Sequence, residues 1–189
     1  MDEVDKKVIS QLQLNGRTTF EELGKLIGYT SMGAKKRFDK LIEEDKVKIS
    51  AALNTASLKL CPAVVMLEME NSEAMMKLLE RFKECPRVIN IFTTLGGYNI
   101  IAIIVAEDQE TLESISIEKC SLRSGGGIRR SEFYPVGNIN YEPFLAVRAY
   151  LTRKGKETTP CNVDCRPCTR YLSKKCCGCP ATRYYKGTL

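Results

Sequence analysis

The sequence predicts an α+β protein built from three successive segments, and three observations support this division. Residues 1–53 carry apolar side chains at helical spacing, and residues 61–148 alternate strand and helix patterns. Residues 149–189 hold six of the nine cysteines. Residues 54–60 form a mixed polar linker between the first two segments. We therefore expect an N-terminal helical domain, a sheet-and-helix domain and a small cysteine-rich tail.

The first segment is predicted to form three short helices. The first of them stops at the Asn-Gly pair of residues 15–16. A second helix opens at Thr19, whose hydroxyl can cap it while Glu22 reaches back to the Thr19 backbone. Residues 28–30 form a turn, and Ser31 is predicted to cap the third helix. The apolar face of this third helix consists of Ala34, Phe38, Leu41 and Ile42.

The third helix has a basic outer face, which predicts a partner. Two amphipathic helices joined by a turn are typical of a helix-turn-helix, whose second helix enters the major groove of duplex DNA. A basic strand over residues 47–53 would complete a winged unit and bring Lys48 close to phosphates. The alternative is an ordinary helical bundle with a solvated charged face. The candidate DNA-contacting residues are Ser31, Met32, Gly33, Lys35, Lys36, Arg37, Lys40 and Lys48.

The second segment is predicted to be a ferredoxin-like domain of order βαββαβ. Its predicted strands cover residues 63–69, 88–93, 100–105 and 128–134, and its predicted helices cover residues 72–84 and 108–120. In this fold both helices lie on one face of the sheet, which leaves the other face to be covered by a second copy of the chain. A two-fold dimer would place two DNA-reading heads side by side on a palindromic site.

At this point the sequence resembles a known family. Residues 1 to about 148 are similar to the Lrp/AsnC (feast/famine) transcription regulators. The resemblance rests on Asp2-x-x-Asp5-x-x-Val8-Ile9-x-x-Leu12-Gln13-x-Asn15-Gly16-Arg17, on Glu22-Leu23 and Gly28-x-x-Ser31, on Arg37, and on Gly96-x-Tyr98-Asn99. It implies a homodimer, often assembled further, that binds promoter DNA. It also implies a small-molecule effector, often an amino acid, lodged between sheet domains against Gly96, Gly97, Tyr98 and Asn99.

The chain departs from the family pattern at two positions. Gly24 stands where the family usually has alanine, which mildly weakens the helix. Asn99 stands where the family commonly has aspartate, so that an amide replaces a carboxylate that could pair with a ligand's ammonium group. Two glycine runs have plainer interpretations as turns. Residues 96–97 are interpreted as a tight hairpin needing positive φ, and residues 124–127 as a flexible helix-to-strand turn.

The cysteines of the tail predict a crosslink. Pairs such as Cys165 with Cys168 have the spacing by which a turn presents two sulfurs to one tetrahedral zinc ion. An iron–sulfur cluster is the alternative cofactor, and disulfide bonds between the tail cysteines are a third interpretation. Cys61, Cys85 and Cys120 are interpreted as small buried hydrophobes. The candidate metal ligands are Cys161, Cys165, Cys168, Cys176, Cys177 and Cys179.

Charge and composition narrow the class of protein. The formal net charge is +6, yet residues 1–150 hold 20 Lys+Arg against 21 Asp+Glu, whereas residues 151–189 hold 9 against 2. The tail is therefore a second possible DNA anchor, through Arg166, Arg170, Lys174, Lys175, Arg183 and Lys186. Histidine is absent, which excludes imidazole catalysis and histidine metal ligation.

The sequence carries no pattern of an enzyme or of a membrane protein. No glycine-rich phosphate loop followed by lysine and no nucleophile elbow occurs. No apolar run is long enough to span a bilayer, and the N-terminus is charged, so we expect a cytoplasmic protein. The leading hypothesis is a sequence-specific DNA-binding regulator. The alternatives are a metal or redox sensor acting through protein partners and, third, an electron-transfer enzyme.

Overall fold

The computed structural model describes residues 1–152 and 155–189. Arg153 and Lys154 of the predicted tail lie outside the described residues. The chain divides into two compact units, Met1–Ala51 and Ala52–Leu189, which we call the head and the body. The sheet domain and the cysteine-rich tail both belong to the body. Within the described residues, no helix combines the length and the apolar character needed to cross a membrane.

The head consists of three helices, α1 (Glu3–Leu14), α2 (Phe20–Ile27) and α3 (Ser31–Glu43). Thr19 caps α2 as expected, because its hydroxyl accepts from the Glu22 N–H at 3.3 Å and the Glu22 carboxylate accepts from the Thr19 N–H at 2.8 Å. The prediction for α3 was wrong by one residue. Thr30, not Ser31, is the cap, and its hydroxyl accepts from the Gly33 N–H at 3.1 Å.

The apolar stripes of the three helices meet in one small core. Its fully buried residues are Val8, Leu23, Ala34 and Leu41, and Phe20 packs edge-on against Phe38 with ring centroids 5.4 Å apart. Ile42, predicted on the inner face, is instead 38% exposed. The core is small because each short helix contributes only one or two residues to it, and its burial is what holds these helices together.

The predicted wing strand is absent. Residues 47–52 form no strand, and only Leu53–Asn54 (β1) pairs, with Phe144–Leu145 (β6) of the body. A strand needs a partner for its backbone groups, and residues 47–52 are paired with no other segment of the described chain. Instead, the Lys46 and Val47 N–H groups both donate to the Leu41 carbonyl, so the chain turns back on the end of α3.

The βαββαβ prediction for the sheet domain is confirmed. Its elements are β2 (Cys61–Met69), α4 (Ser72–Phe82), β3 (Val88–Thr93), β4 (Ile100–Ala106), α5 (Gln109–Ile117) and β5 (Ile128–Pro135). The sheet has the order β3-β4-β2-β5 and all neighbours are antiparallel. Alternate residues of β2 and β4 pack into the main core with Leu78 and Phe82 of α4 and with Leu112 of α5. This core fixes which face of the sheet the helices cover.

The tail contains little regular structure and is attached to the sheet domain by polar contacts. It includes one short helix, α6 (Thr169–Leu172). Arg170 donates from Nε to the Ser114 hydroxyl at 2.8 Å and from Nη2 to the Glu113 carboxylate at 2.6 Å, which ties α6 to α5. The Ser114 hydroxyl also donates to the Lys175 carbonyl at 2.7 Å. The tail therefore packs on the outside of α5 and does not stand apart.

Candidate DNA-reading face, effector loop and cysteine-lined cavity

The outer face of α3 presents exposed lysines. Met32 is 74% exposed, and Lys35, Lys36 and Lys40 are exposed beside it. Among the described residues, neither Lys35 nor Lys36 makes an ion pair, whereas Lys40 lies 3.7 Å from Glu44. We call Met32, Lys35, Lys36 and Lys40 the lysine face. Its cations remain available to phosphates and base edges.

Two other predicted DNA-contacting residues lie at the start of the same helix. Ser31 is exposed in the first turn, and Gly33 is half-buried with its N–H donated to Thr30. This terminus is the part of a recognition helix that contacts bases in helix-turn-helix proteins. Lys48 is exposed in the irregular segment that follows α3 and carries no strand geometry.

Arg37 has a different position from the lysines. Its Nη1 donates to Asp2 Oδ2 at 2.6 Å and to Asp5 Oδ1 at 2.9 Å, and its guanidinium lies 6.0 Å from the centroid of the Tyr29 ring. Backbone hydrogen bonds within the capping box, followed by the Arg37 hydrogen bond, lower the pKa of both Asp2 and Asp5. In this arrangement Arg37 joins α3 to the start of α1.

Close backbone approach explains Gly24. A Cβ at this position would lie 2.7 Å from the Tyr29 carbonyl oxygen, which is part of the turn between α2 and α3. The expectation that Gly24 only weakens its helix is therefore incomplete. Glycine lets the turn pack directly on α2 and so sets how α3 leaves it.

Asn99 of the predicted effector loop is bound by backbone. Its Oδ1 accepts from the Met69 N–H at 2.8 Å, and its Nδ2 donates to the Met69 carbonyl at 2.9 Å. An aspartate could accept the first bond but could not donate the second. The amide at this position therefore fits a structural pairing between the start of β4 and the end of β2.

Tyr98 of the same loop faces charged side chains of β5. Its hydroxyl donates to the Glu132 carboxylate, and the Arg130 guanidinium lies 4.3 Å from the centroid of its ring. Gly96 and Gly97 are exposed, and neither has the positive φ predicted for a tight hairpin. Positive φ occurs instead in the second glycine run, at Gly127, where φ is +74°.

A cavity of about 50 Å³ lies between the sheet domain and the tail. Four of the predicted metal ligands line it, together with two cysteines of the sheet domain that sequence reasoning had interpreted as plain hydrophobes. We call these six residues the cysteine wall: Cys85, Cys120, Cys161, Cys165, Cys176 and Cys179. All nine cysteines of the chain are free thiols in this structure.

The other two predicted ligands lie elsewhere. The Cys177 thiol donates to Asp108 Oδ2 at 3.4 Å, and its N–H donates to the Thr111 hydroxyl at 3.3 Å, so this residue anchors the tail to the start of α5. Cys168 lines a neighbouring pocket of about 290 Å³ that it shares with Cys120, Cys165 and Cys176. Five of the six predicted ligands therefore line two neighbouring spaces, and Cys177 lines neither.

Burial raises the pKa of several cysteines of the wall. It raises the pKa of the Cys165 thiol to about 11 and that of Cys179 to about 12. It also raises the pKa of Cys85 and Cys120. Burial therefore favours the neutral thiol over the thiolate at these four positions.

Sequence spacing could not identify Cys85 and Cys120. Each lies three residues beyond the end of a helix, α4 for Cys85 and α5 for Cys120. That position is the only signal they carry, and it does not reveal that the tail folds back onto them. Their role depends on contacts between segments far apart in the chain.

Comparison with known proteins gives two family matches in the order that the fold shows. The description "AsnC-type helix-turn-helix domain" matches residues 1–42, and "Lrp/AsnC ligand binding domain" matches residues 62–136. The six tail cysteines, within residues 161–179, lie outside both matches.

Individual relatives are similar over the same region. The HTH-type transcriptional regulator Ptr1 of Methanocaldococcus jannaschii is 23% identical over 141 residues, which cover 74% of this chain and 86% of Ptr1. The uncharacterized HTH-type transcriptional regulator YezC of Bacillus subtilis is 33% identical over 114 residues, or 60% of this chain and 81% of YezC. A solved structure, the regulator NMB0573 of Neisseria meningitidis in complex with L-Met, has the same fold with a TM-score of 0.67 at 20% identity, covering 75% of this chain and 94% of its own.

Proposed function

The chain belongs to the Lrp/AsnC family of DNA-binding transcription regulators, and from that premise we propose that it acts as a homodimer whose lysine face reads a specific duplex sequence. The observation that carries the proposal is a difference in pairing between neighbouring basic residues of α3. Lys35 and Lys36 are exposed without internal partners in the described chain, while the neighbouring Arg37 is held by Asp2 and Asp5.

The chemistry of the lysine face fits a DNA contact of moderate strength. Three lysines and the terminus of α3 can bind phosphates and base edges, and each neutralised phosphate makes binding more sensitive to salt. Three acidic residues border the lysine face toward the C-terminal half of α3: Asp39, Glu43 and Glu44. One head therefore offers few net charges, which favours binding by paired heads on a palindromic site.

The test uses duplexes that the full-length protein itself selects from a random library. Lys36→Ala with Lys40→Ala should weaken binding to the selected duplex. It should flatten the dependence of log K on log salt by roughly 3.6 units, since a homodimer loses two lysines from each head and each phosphate contact contributes about 0.9. Lys77→Ala removes one exposed lysine from the body and is the matched control. Selection that enriches no common sequence, or an unchanged salt slope in the double variant, would contradict the proposal.

The uncovered face of the sheet supports the proposed dimer. On this side Met66 of β2 lies opposite Ile101 of β4, and Ile101 lies opposite Phe92 of β3. Met66 and Ile101 are half-buried within one chain, and Phe92 is 46% exposed. An apolar row of this kind on a sheet favours burial against an identical row.

Light scattering of the full chain tests the dimer. Ile101→Lys places a charge in the middle of the row and should give monomers that bind the selected duplex more weakly. The control is Ile117→Lys, at an exposed isoleucine on α5. A dimer that survives Ile101→Lys would show that the chains pair through another surface.

For the effector, we propose an amino acid held near the loop before β4. The support is the charged pair beside Tyr98: Arg130 can bind a carboxylate and Glu132 an ammonium group. The L-Met complex of the Neisseria relative makes methionine the first ligand to try. Thermal shifts with the twenty amino acids should single out one or a few that raise the melting temperature, and Arg130→Ala should abolish the shift while Arg129→Ala retains it. If no amino acid stabilises the wild-type chain, the effector belongs to another chemical class.

A second candidate function is regulation by metal or redox state through the tail, either on DNA binding or through a protein partner. The observation that favours it is the cysteine wall, because ligation there would change how the tail is attached to the sheet domain. DNA affinity measured before and after metal removal tests it, and an identical affinity would leave the tail with a purely structural role.

A further inference from the structure

We infer that the cavity between the sheet domain and the tail is a binding site for an iron–sulfur cluster, whose thiolate ligands come from both. This inference goes beyond DNA reading and does not depend on it, since the cavity lies wholly within the body. It also differs from a metal site formed by the tail alone, because Cys85 and Cys120 belong to the wall.

The side chains that line the cavity offer a metal only sulfur donors. Six thiols line one cavity, and among the described residues no carboxylate lines it. The chain has no histidine. A donor set made only of sulfur selects soft metal centres, namely iron–sulfur clusters, zinc or copper(I), over magnesium, calcium or manganese.

The size of the cavity favours a cluster over a single ion. A space of about 10–15 Å³ holds one water, and this cavity of about 50 Å³ is several times larger. Within the described residues, no three acidic or cysteine side chains converge closely enough to hold one ion. Sulfurs that surround a space without converging on a point suit a polynuclear core, in which each thiolate binds a different iron.

The side chains around the cysteine wall also fit a cluster. The cavity is kept largely apolar by five further lining residues: Phe82, Val88, Ile104, Ile115 and Leu122. Such a shell excludes water from a cluster and shapes its reduction potential. Arg87 also lines the cavity and is 6% exposed, with its guanidinium paired to Glu107 at 2.7 Å. Because Glu107 balances its charge, Arg87 contributes a buried, paired guanidinium to the lining and no net charge.

The wall cysteines come from separate segments of the chain. Cys85 follows α4 and Cys120 follows α5, whereas the other four wall cysteines come from two parts of the tail, residues 161–165 and 176–179. A four-iron cluster needs four thiolates. Only one choice of four wall cysteines, the four of the tail, lacks a ligand from the sheet domain. With any other choice, the cluster would link the tail covalently to the sheet domain.

The experiment is iron and acid-labile sulfide analysis of the full chain purified without oxygen, together with its visible absorption and Mössbauer spectra. We expect a coloured protein with iron and sulfide in equal amounts, about four of each per chain. The Mössbauer spectrum of the wild type identifies the cluster without any substitution, so the result does not depend on a variant that folds poorly.

Paired substitutions then locate the ligands. Cys85→Ser with Cys120→Ser should lose the iron and sulfide, and so should Cys165→Ser with Cys176→Ser. The control, Cys61→Ser, removes a thiol outside the wall and should retain both elements. Binding of the selected duplex by each variant reports whether the head is still folded.

Three results would overturn the inference. A colourless protein containing zinc would show a single-ion site, and a mass lowered by pairs of hydrogens under non-reducing conditions would show disulfides. Full retention of the cluster after Cys85→Ser with Cys120→Ser would place it in the tail alone. A chain that binds a cluster but no DNA would leave this inference standing and refute the DNA proposal, so the two fail separately.

Discussion

The head and the tail both pair many of their positive charges, and they differ in where the unpaired lysines lie. In the tail, which holds nearly all of the excess charge, Lys156, Arg166, Arg170 and Arg183 pair with Glu84, Asp164, Glu113 and Glu157. Lys186 lies 4.0 Å from the centroid of the Tyr171 ring. Lys174 and Lys175 of the tail are exposed and make no ion pair among the described residues. The same is true of Lys35 and Lys36 on α3, in the nearly neutral remainder of the chain. The net charge of a segment therefore does not locate a DNA-binding surface, because internal pairing decides which cations remain available.

The largest effect should come from the core of the head. Leu23 is fully buried, so Leu23→Ala should lower the free energy of unfolding of the head by about 2–5 kcal/mol. A core this small is expected to unfold at ambient temperature after such a loss. Circular dichroism should then show loss of helix and of DNA binding, while the body keeps its melting transition. A single transition that shifts as a whole would mean that the two units unfold together.

A smaller effect is expected at the turn between α2 and α3. Gly24→Ala adds a methyl group 2.7 Å from the Tyr29 carbonyl, and relief of this contact must move backbone. We expect a loss of about 1–3 kcal/mol, as for other overpacked sites. Chemical denaturation of the head measures it, with Gly16→Ala as control because its nearest contact is at 3.8 Å. Equal stability of the two variants would show that the turn shifts freely.

The attachment of the tail should respond to Arg170. Arg170→Ala removes hydrogen bonds to Ser114, Glu113 and the Glu110 carbonyl. The tail should become more sensitive to limited proteolysis, and the melting temperature of the body should fall by a few degrees. Affinity for the selected duplex should not change. A large loss of affinity would instead make the tail a DNA anchor, as its net charge had suggested.

The smallest effect should be a pH dependence in the head. The pKa values of Asp2 and Asp5 are lowered by backbone hydrogen bonds and by Arg37, so they contribute stability above their usual pKa, and this contribution disappears as the pH falls through the lowered values. Arg37→Ala should reduce the loss of stability between neutral and strongly acidic pH. Melting curves measured across that range test this, and an unaltered pH profile would show that Arg37 contributes little.

The sequence was sufficient for most elements whose signals are local, although the cap of α3 and the positive φ expected at Gly96 and Gly97 were wrong. Helical spacing and the Thr19 capping box predicted α2, and the alternation of apolar patterns predicted the sheet domain, because these elements depend on residues a few positions apart. The wing failed because a strand over residues 47–52 requires a partner that no local pattern reveals. The pairing of Arg37 with Asp2 and Asp5, and the meeting of Cys85 and Cys120 with the tail, likewise depend on distant segments.

Hydrogen exchange of the full chain bound to its selected duplex, compared with the free chain, tests the central contrast most directly. The lysine face should gain protection, so amides at the start of α3, residues 31–37, should exchange more slowly in the complex. Residues 161–179 of the tail should exchange at the same rate in both states. Protection that appears in the tail and not in α3 would contradict the account.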